Sequence, residues 1–213
     1  MNFDDFSLAI SKIENIPLPA QASQLKMVPP FRQELLKQQA DTIKYAKSAG
    51  VLALFYPNKN QETHLVLTLR KTYKGVHSAQ VGFPGGKLEI YDTSIEAAAI
   101  RETFEEVGVP SDNIKVLRAL SEVYIPPSNF YVHPFIGISK ETPRFIKQDK
   151  EVEAIIEVKL SHFLDDANII TEKVSTSYSV EVEVPAFKLN NYVVWGATAM
   201  MLSEIKDVLK QLM

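Results

Sequence analysis

Cysteine is absent from the 213-residue chain, which excludes disulfide bridges and any chemistry that needs a thiolate. An excess of either charge is missing too. The 23 Lys and Arg stand against 26 Asp and Glu, giving a net charge of −3 and a pI near 5.9, so the chain has no basic field to hold a nucleic-acid polymer. A small anionic ligand remains open, because a few local cations suffice for it. The opening residues Met1-Asn2-Phe3-Asp4-Asp5 lack the basic and apolar stretches of a secretory signal. The longest apolar run, Tyr192 to Leu202, is too short to cross a bilayer. A cytoplasmic protein without membrane contact is expected, and a homodimer is compatible with everything above. Internal repeats and low-complexity segments are also absent.

With 46% hydrophobic residues, the chain can bury a full core. Phe3, Phe6, Ile10 and Ile13 recur at helical spacing, and Phe31 to Gln38 follows Pro29-Pro30 as a second helical candidate. Residues 1–48 therefore read as an N-terminal helical extension and residues 49–213 as the main domain. Val51 to Tyr56 and His64 to Leu69 are apolar, β-branched runs joined by a polar turn, which predicts a strand pair. Lys115 to Leu120, Tyr131 to Ser139, Val152 to Val158 and Tyr178 to Phe187 add strands, and Ala197 to Leu212 a closing helix. Strands on both sides of a central helix, with another helix at the end, predict an α/β fold with a mixed sheet between helices.

That central helix carries the chemistry. Thr93 and Glu96 have capping-box spacing, while Gly108 and Pro110 supply a left-handed residue and a breaker, so a helix is expected from about Ser94 to Val107. At 100° per residue, Ala97, Ile100, Phe104 and Val107 form one stripe, read as core, and Glu102, Glu105 and Glu106 cluster opposite it. Three carboxylates so spaced repel one another by roughly 0.2–0.5 kcal/mol per pair, which Arg101 offsets in part. A divalent cation would remove the conflict, and Mg²⁺ takes one or two carboxylates with waters and phosphates completing its shell. Just upstream, Gly82, Gly85 and Gly86 around Pro84 form a turn whose backbone can approach a phosphate closely.

The stretch from Gly82 to Pro110 resembles the Nudix box, G-x5-E-x7-R-E-U-x-E-E-x-G-U with U aliphatic. Arg101-Glu102, Glu105-Glu106, Gly108 and Val109 match its second half, with Thr103 at an aliphatic position. The spacing from Gly86 to Arg101 is one residue longer than standard, and Asp92 stands where the first glutamate is expected. The coenzyme A pyrophosphatase branch of the family has the same lengthened spacing, and an upstream pattern L-L-T-x-R-(S/A)-x3-R-x3-G-x3-F-P-G-G. Leu67, Thr68, Arg70 and Phe83-Pro84-Gly85-Gly86 match this pattern, whereas Lys71, Gly75 and Ala79 break it. Val194 to Ala199 is similar to the I-W-G-x-T-A segment of that branch.

The resemblance implies a Nudix-type α/β/α sandwich and Mg²⁺- or Mn²⁺-dependent hydrolysis of a nucleoside diphosphate derivative. For coenzyme A the products would be 3′,5′-ADP and 4′-phosphopantetheine. An ADP-ribose or dinucleotide pyrophosphatase, favoured by the missing arginine at Gly75, and a non-catalytic nucleotide sensor are the alternatives. Glu102, Glu105 and Glu106 are the expected metal ligands, with Arg101 part of the catalytic set. Glu105 is the preferred general base over Glu151. Arg70, Lys74, His77, Gln80, Gly85 and Gly86 are the expected substrate-binding residues. Asp92 is expected to pair with Arg101, and Trp195 to serve as a packing joint.

Overall fold

The computed structural model describes residues 1–72, 80–175 and 181–213. The chain begins with α1 (Phe3–Ile10), α2 (Gln21–Gln24) and α3 (Arg32–Gln38), linked by single 3₁₀ turns. Then follow β1 (Lys47–Pro57), β2 (Thr63–Arg70), β3 (Val81–Gly82), β4 (Gly85–Lys87), α4 (Ile95–Val107), β5 (Ile114–Ala119), β6 (Val123–Ile125) and β7 (Phe130–Ser139). The remainder comprises β8 (Val152–Lys159), α5 (Leu160–Leu164), β9 (Ile169–Ser175), β10 (Glu181–Leu189), β11 (Tyr192–Trp195) and α6 (Gly196–Leu212).

Strand β1 is the spine because its side chains are apolar on both faces, as a strand covered from both sides requires. Ala49, Ala53 and Phe55 enter the larger core with α1 and α6, while Leu52, Leu54 and Tyr56 enter a smaller core with α4. The principal sheet runs β3-β2-β1-β7-β5, with β4 also on β1, β6 on β7 and β8 on β2. Only β1 and β7 pair in parallel among these strands, so the sheet is mixed. Strands β9, β10 and β11 form a second, antiparallel sheet. Helices on either side of the principal sheet give the α/β/α sandwich.

The N-terminal helices are built into the larger core. Phe6 is fully buried with its ring 5.0 Å from that of Phe55, and the Phe3 N–H donates to the Gln61 carbonyl at 2.8 Å. Gln24 donates to Glu204 at 3.0 Å, and Ser121 Oγ donates to the same carboxylate at 2.7 Å, which partners this wholly buried acid of α6.

Two sequence expectations for α4 are corrected. Ser94, not Thr93, caps it, its Oγ accepting the Ala97 N–H at 3.0 Å; Glu96 therefore lies one position short of a capping box. The buried stripe is also rotated, by about a third of a turn at 100° per residue, with Val107 common to both. Ala98, Ala99, Thr103, Glu106 and Val107 are buried, whereas Phe104 is 54% exposed. The end of the helix agrees, with Gly108 left-handed at φ 77°. Five short or interrupted strands, β3, β4, β6, β9 and β11, escaped the sequence reading because glycine, charge or brevity hides their alternation. The expected strand start at Tyr178 falls outside the described residues, and β10 continues past Phe187 to Leu189.

Candidate active site

Glycine at position 50, in the middle of β1, sets the site's geometry. A Cβ there would lie 2.3 Å from the Ile95 carbonyl oxygen and 3.1 Å from the Ala99 Cβ, so α4 rests almost backbone to backbone on the sheet. On the other side of β1, Gly85 has φ 153° and a Cβ on it would lie 2.4 Å from the Gly50 carbonyl, a conformation and an approach open to glycine alone. The glycine turn, the spine strand and the acidic helix are thereby pressed together. Ile95, Ala98, Ala99, Glu102, Thr103 and Glu106 share roughly a 140° arc at 100° per residue, and this arc faces the sheet. Glu102 and Glu106 consequently point into the turn rather than away from the core.

Their environment is dry and crowded. Glu106 is 3% exposed; its Oε2 accepts a long hydrogen bond from the Gly85 N–H at 3.4 Å, and its Oε1 lies 3.5 Å from Arg70 Nη1. Glu102 fits against Gly86, where a Cβ would fall 2.4 Å from its carboxyl carbon. Burial pushes the Glu106 carboxyl up to about 7, the charges of Glu102 and Glu151 adding to the shift while Arg70 and the Gly85 N–H oppose it. Burial likewise raises Glu102, with Arg101 opposing and Glu105 and Glu151 adding.

Arg101 binds the site together from behind. Its Nε and Nη2 grip Asp92 at 2.9 and 3.0 Å, as the sequence suggested, Nη1 reaches Glu102 at 2.8 Å and Glu105 at 3.3 Å, and Nη2 also donates to the Lys87 carbonyl at 3.1 Å. The Asp92 carboxyl is held below its ordinary value by that arginine. Helix α4, the loop before it and β4 are thus fastened by one guanidinium. Thr103, standing at the aliphatic position, returns its hydroxyl to the Ala99 carbonyl at 2.7 Å and so is accommodated in the core.

Arg70 ends β2 and leans toward both acids, its Nη2 4.0 Å from Glu151 Oε2. Glu151 is held there by strand pairing, since the Lys71 N–H donates to its carbonyl at 2.8 Å and Arg70 pairs with Val152. The fold itself brings it beside Arg70. The buried Nε of Arg70 has no hydrogen-bond partner among the described residues.

Of the expected residues, the fold brings together Arg70, Gly85, Gly86, Glu102, Glu106 and Glu151, with Arg101 behind them. Glu105 stands on the exposed flank, bonded to Arg101. Gln80 accepts the Arg70 N–H through its carbonyl at 3.0 Å and lines the adjoining cavity. Lys74, Gly75, His77 and Ala79 lie outside the described residues.

The cavity, about 370 Å³, opens beside the glycine turn. Phe83 lines it from the turn, Phe31 and Leu35 from the N-terminal segment, and Trp195, Thr198 and Met201 from the C-terminal segment. Trp195 is therefore a wall of the cavity, not merely a packing joint. Thr198 donates its hydroxyl to the Val81 carbonyl at 3.0 Å, tying the first turn of α6 to the turn strand β3. Gly50 and Arg32 were not singled out from sequence, whereas Thr198 stood in the Val194 to Ala199 match without a role. A glycine inside an apolar strand run does signal close backbone approach, so Gly50 had a usable cue.

Divalent cation binding can be tested against these residues. Among the described residues, no three carboxylate, imidazole or thiol groups form a ready-made ligand cluster. What the fold offers is a pair, Glu102 and Glu106, both disfavoured as anions by burial, Glu106 also by the charge of Glu102. Hard oxygen donors, limited to two and facing a phosphate-sized turn, match the habit of Mg²⁺ and Mn²⁺ of sharing their shell with water and phosphate. The residues present fit such an ion.

The chain resembles known proteins. The NUDIX domain family matches residues 45–176. The chain is 29% identical over 157 residues to the peroxisomal coenzyme A diphosphatase ndx-8 of Caenorhabditis elegans, covering 73% of this chain and 65% of the nematode protein. It is 28% identical over 176 residues to the uncharacterized Nudix hydrolase NudL of Enterobacter sp., covering 79% and 85%. A crystal structure of a Nudix hydrolase from M. smegmatis, RenU, superposes with a TM-score of 0.54 at 15% identity, covering 78% of this chain and 87% of that one. The chain thus spans just under two thirds of the nematode relative.

Proposed function

The chain belongs to the Nudix hydrolases, and from that premise we propose that it is a pyrophosphohydrolase whose substrate is coenzyme A or a derivative, yielding 3′,5′-ADP and 4′-phosphopantetheine. One observation carries the choice of substrate. Described residues from the two segments that bear the coenzyme A resemblance, among them Arg70, Val81 and Phe83 from one and Trp195 and Thr198 from the other, are far apart in sequence yet line one cavity, joined by the Thr198 to Val81 hydrogen bond. The small nucleotide reading also agrees with the cavity's size, which suits a ligand of that class.

In this reading Glu102 and Glu106 hold the divalent ion, with Glu105 at the edge of the set. Mg²⁺ or Mn²⁺, when bound, supplies neutralisation of phosphoryl oxygens and acidification of water. Arg70 offers its guanidinium, including the unpaired Nε, to the diphosphate oxygens, and Gly85 and Gly86 let those oxygens come close to the backbone. A water oxygen bonds to phosphorus as the bridging P–O bond breaks, and the water's proton passes to a carboxylate.

Glu151 is the base the geometry favours, reversing the preference read from sequence. It faces Arg70 and contributes to the shifts of both Glu102 and Glu106, whereas Glu105 is engaged by Arg101. Arg101 positions the carboxylates, and the apolar cavity takes the part of the substrate that does not react.

A hydrolysis panel of coenzyme A, dephospho-coenzyme A, ADP-ribose and NADH with Mg²⁺ or Mn²⁺ tests the proposal. Coenzyme A compounds should give the highest kcat/KM. Faster turnover of ADP-ribose or NADH would replace the substrate assignment while leaving the hydrolase in place.

A further inference from the structure

Among the described residues, Arg32 is a partly buried cation whose surroundings account for it poorly. It lies at the start of α3, half-buried, in the wall of the cavity. Among the described residues its one hydrogen bond runs from Nη2 to the Tyr124 carbonyl at 2.6 Å, and it takes part in no ion pair. The other partly buried arginines differ: Arg70 and Arg101 each face carboxylates, and Arg118 donates to two carbonyls, those of Ile13 and Ile16. Burial holds the Arg32 guanidinium below the usual arginine range, which marks a charge taken from water without a counter-charge.

Ser128, in the turn Pro126–Ser128 that follows β6 and packs on α3, also lines the cavity, and its buried Oγ has no hydrogen-bond partner among the described residues. A guanidinium with free donor edges and an unpartnered hydroxyl thus share one wall. Arginine donors present a planar fork suited to phosphate oxygens.

Strand order places this wall relative to the carboxylates. Tyr124, which Arg32 grips, is on β6; β6 pairs with β7, β7 with β1, and β1 with β4, which carries Gly85 and Gly86. Three inter-strand spacings separate them, about 14 Å, a span on the scale of one nucleotide. A cavity with a cation at either limit suits a ligand with two separated anionic groups.

We propose that Arg32, assisted by Ser128, is a specificity-determining residue that binds a second phosphate of the substrate, a phosphomonoester remote from the diphosphate that is cleaved. The proposal rests on the coenzyme A reading, where the 3′-phosphate is that group, and it makes the N-terminal segment part of substrate recognition. ADP-ribose and dephospho-coenzyme A lack this phosphate, so Arg32 discriminates among the members of the substrate panel.

Binding of 3′,5′-ADP and of 5′-AMP, measured by calorimetry without turnover, tests this directly. The wild-type chain should bind 3′,5′-ADP roughly 10–100-fold more tightly than 5′-AMP, as one or two charge-assisted hydrogen bonds provide. Arg32→Gln should erase most of that gap and leave the affinity for 5′-AMP within about twofold, and Ser128→Ala should narrow the gap by a smaller factor. The same variant should lower kcat/KM for coenzyme A and not for dephospho-coenzyme A. A gap unchanged in Arg32→Gln, or an equal loss for both nucleotides, overturns the proposal. If that variant does not fold, Arg32→Lys carries the test, with a gap narrowed at least about threefold in support and an unaltered gap against. Failure of the chain to hydrolyse coenzyme A would refute the substrate reading on its own, because the binding comparison needs no hydrolysis.

Discussion

Burial of Glu106 at 3% exposure raises its carboxyl from an ordinary 4.5 to about 7, so ionising it in the folded, metal-free chain costs stability. The folded carboxyl binds its proton more tightly than the unfolded one. Its favourable contribution is therefore complete below about 4.5 and lost as pH rises through about 7. Glu106→Gln keeps the shape without the charge. In a chelator it should melt higher than the wild type at pH 8, by an amount on the order of 1–3 kcal/mol, with the difference closing at pH 4.5 to 5. The same variant should lose turnover. A lower melting temperature at pH 8 would show that the anion is a structural asset and not a site held ready for a cation. At Arg70, replacement by Ala should lower kcat/KM by roughly ten- to hundredfold, the scale of a charged hydrogen bond; unchanged kinetics would show that it does not bind the substrate's phosphates. Comparing kcat of Glu105→Gln and Glu151→Gln at saturating metal assigns the base. A loss of about 10²–10⁴-fold is expected for Glu151→Gln, and confinement of that loss to Glu105→Gln would restore the assignment read from sequence.

Between β1, β4 and α4, two glycines fail in different ways when given a side chain. A Cβ at Gly50 meets the Ile95 backbone at 2.3 Å, so Gly50→Ala must push the helix off the sheet, destabilising by roughly 1–3 kcal/mol. The atoms nearest a Cβ at Gly86 belong to the end of the Glu102 side chain, at 2.4 Å. That side chain can swing aside, so Gly86→Ala should melt near the wild type yet bind Mg²⁺ or Mn²⁺ and turn over poorly. Equal destabilisation of both variants would contradict this division between fold and site. The same pair explains what was legible. Helix α4, its glycine end and the Arg101-Glu102-Glu105-Glu106 cluster could be read from spacing, because caps and motifs are local. Which face of the helix is buried could not. Where Gly50 lies beneath it, the small residues Ala98, Ala99 and Thr103 fit against the sheet, while Phe104, the largest apolar side chain on the helix, is left outside. Periodicity weighted by hydrophobicity follows the phenylalanine and misses a contact made of small residues.

At the scale of the whole molecule, cavity-lining side chains come from both the N-terminal and the C-terminal segments. Phe31 and Leu35 from the N-terminal segment, and Trp195 and Met201 from the C-terminal one, enclose the cavity beside a site built by the middle. We regard residues 1–48 as an extension that completes the substrate site. The sequence announced its helices through Phe3, Phe6 and Ile10, but a long-range placement such as α3 over the turn Pro126–Ser128 has no local signature. No helix among the described residues is long and apolar enough to cross a membrane. A divalent cation should couple to global stability, because an ion held only by the folded chain stabilises it by mass action. Adding Mg²⁺ or Mn²⁺ at pH 8 should raise the melting temperature of the wild type and leave that of a Glu102→Gln, Glu106→Gln double variant unmoved; an equal rise in both would place the ion elsewhere.

The central claim is that the buried pair Glu102 and Glu106 serves a metal-dependent cleavage of the coenzyme A diphosphate. Mass-spectrometric identification of the products of coenzyme A, with metal and with chelator, for the wild type and Glu106→Gln, tests it most directly. The account predicts 3′,5′-ADP and 4′-phosphopantetheine from the wild type with metal, and neither in appreciable yield from the chelated enzyme or the folded variant. Products from folded Glu106→Gln at the wild-type rate, or intact coenzyme A after incubation with the metal-loaded wild type, would contradict it.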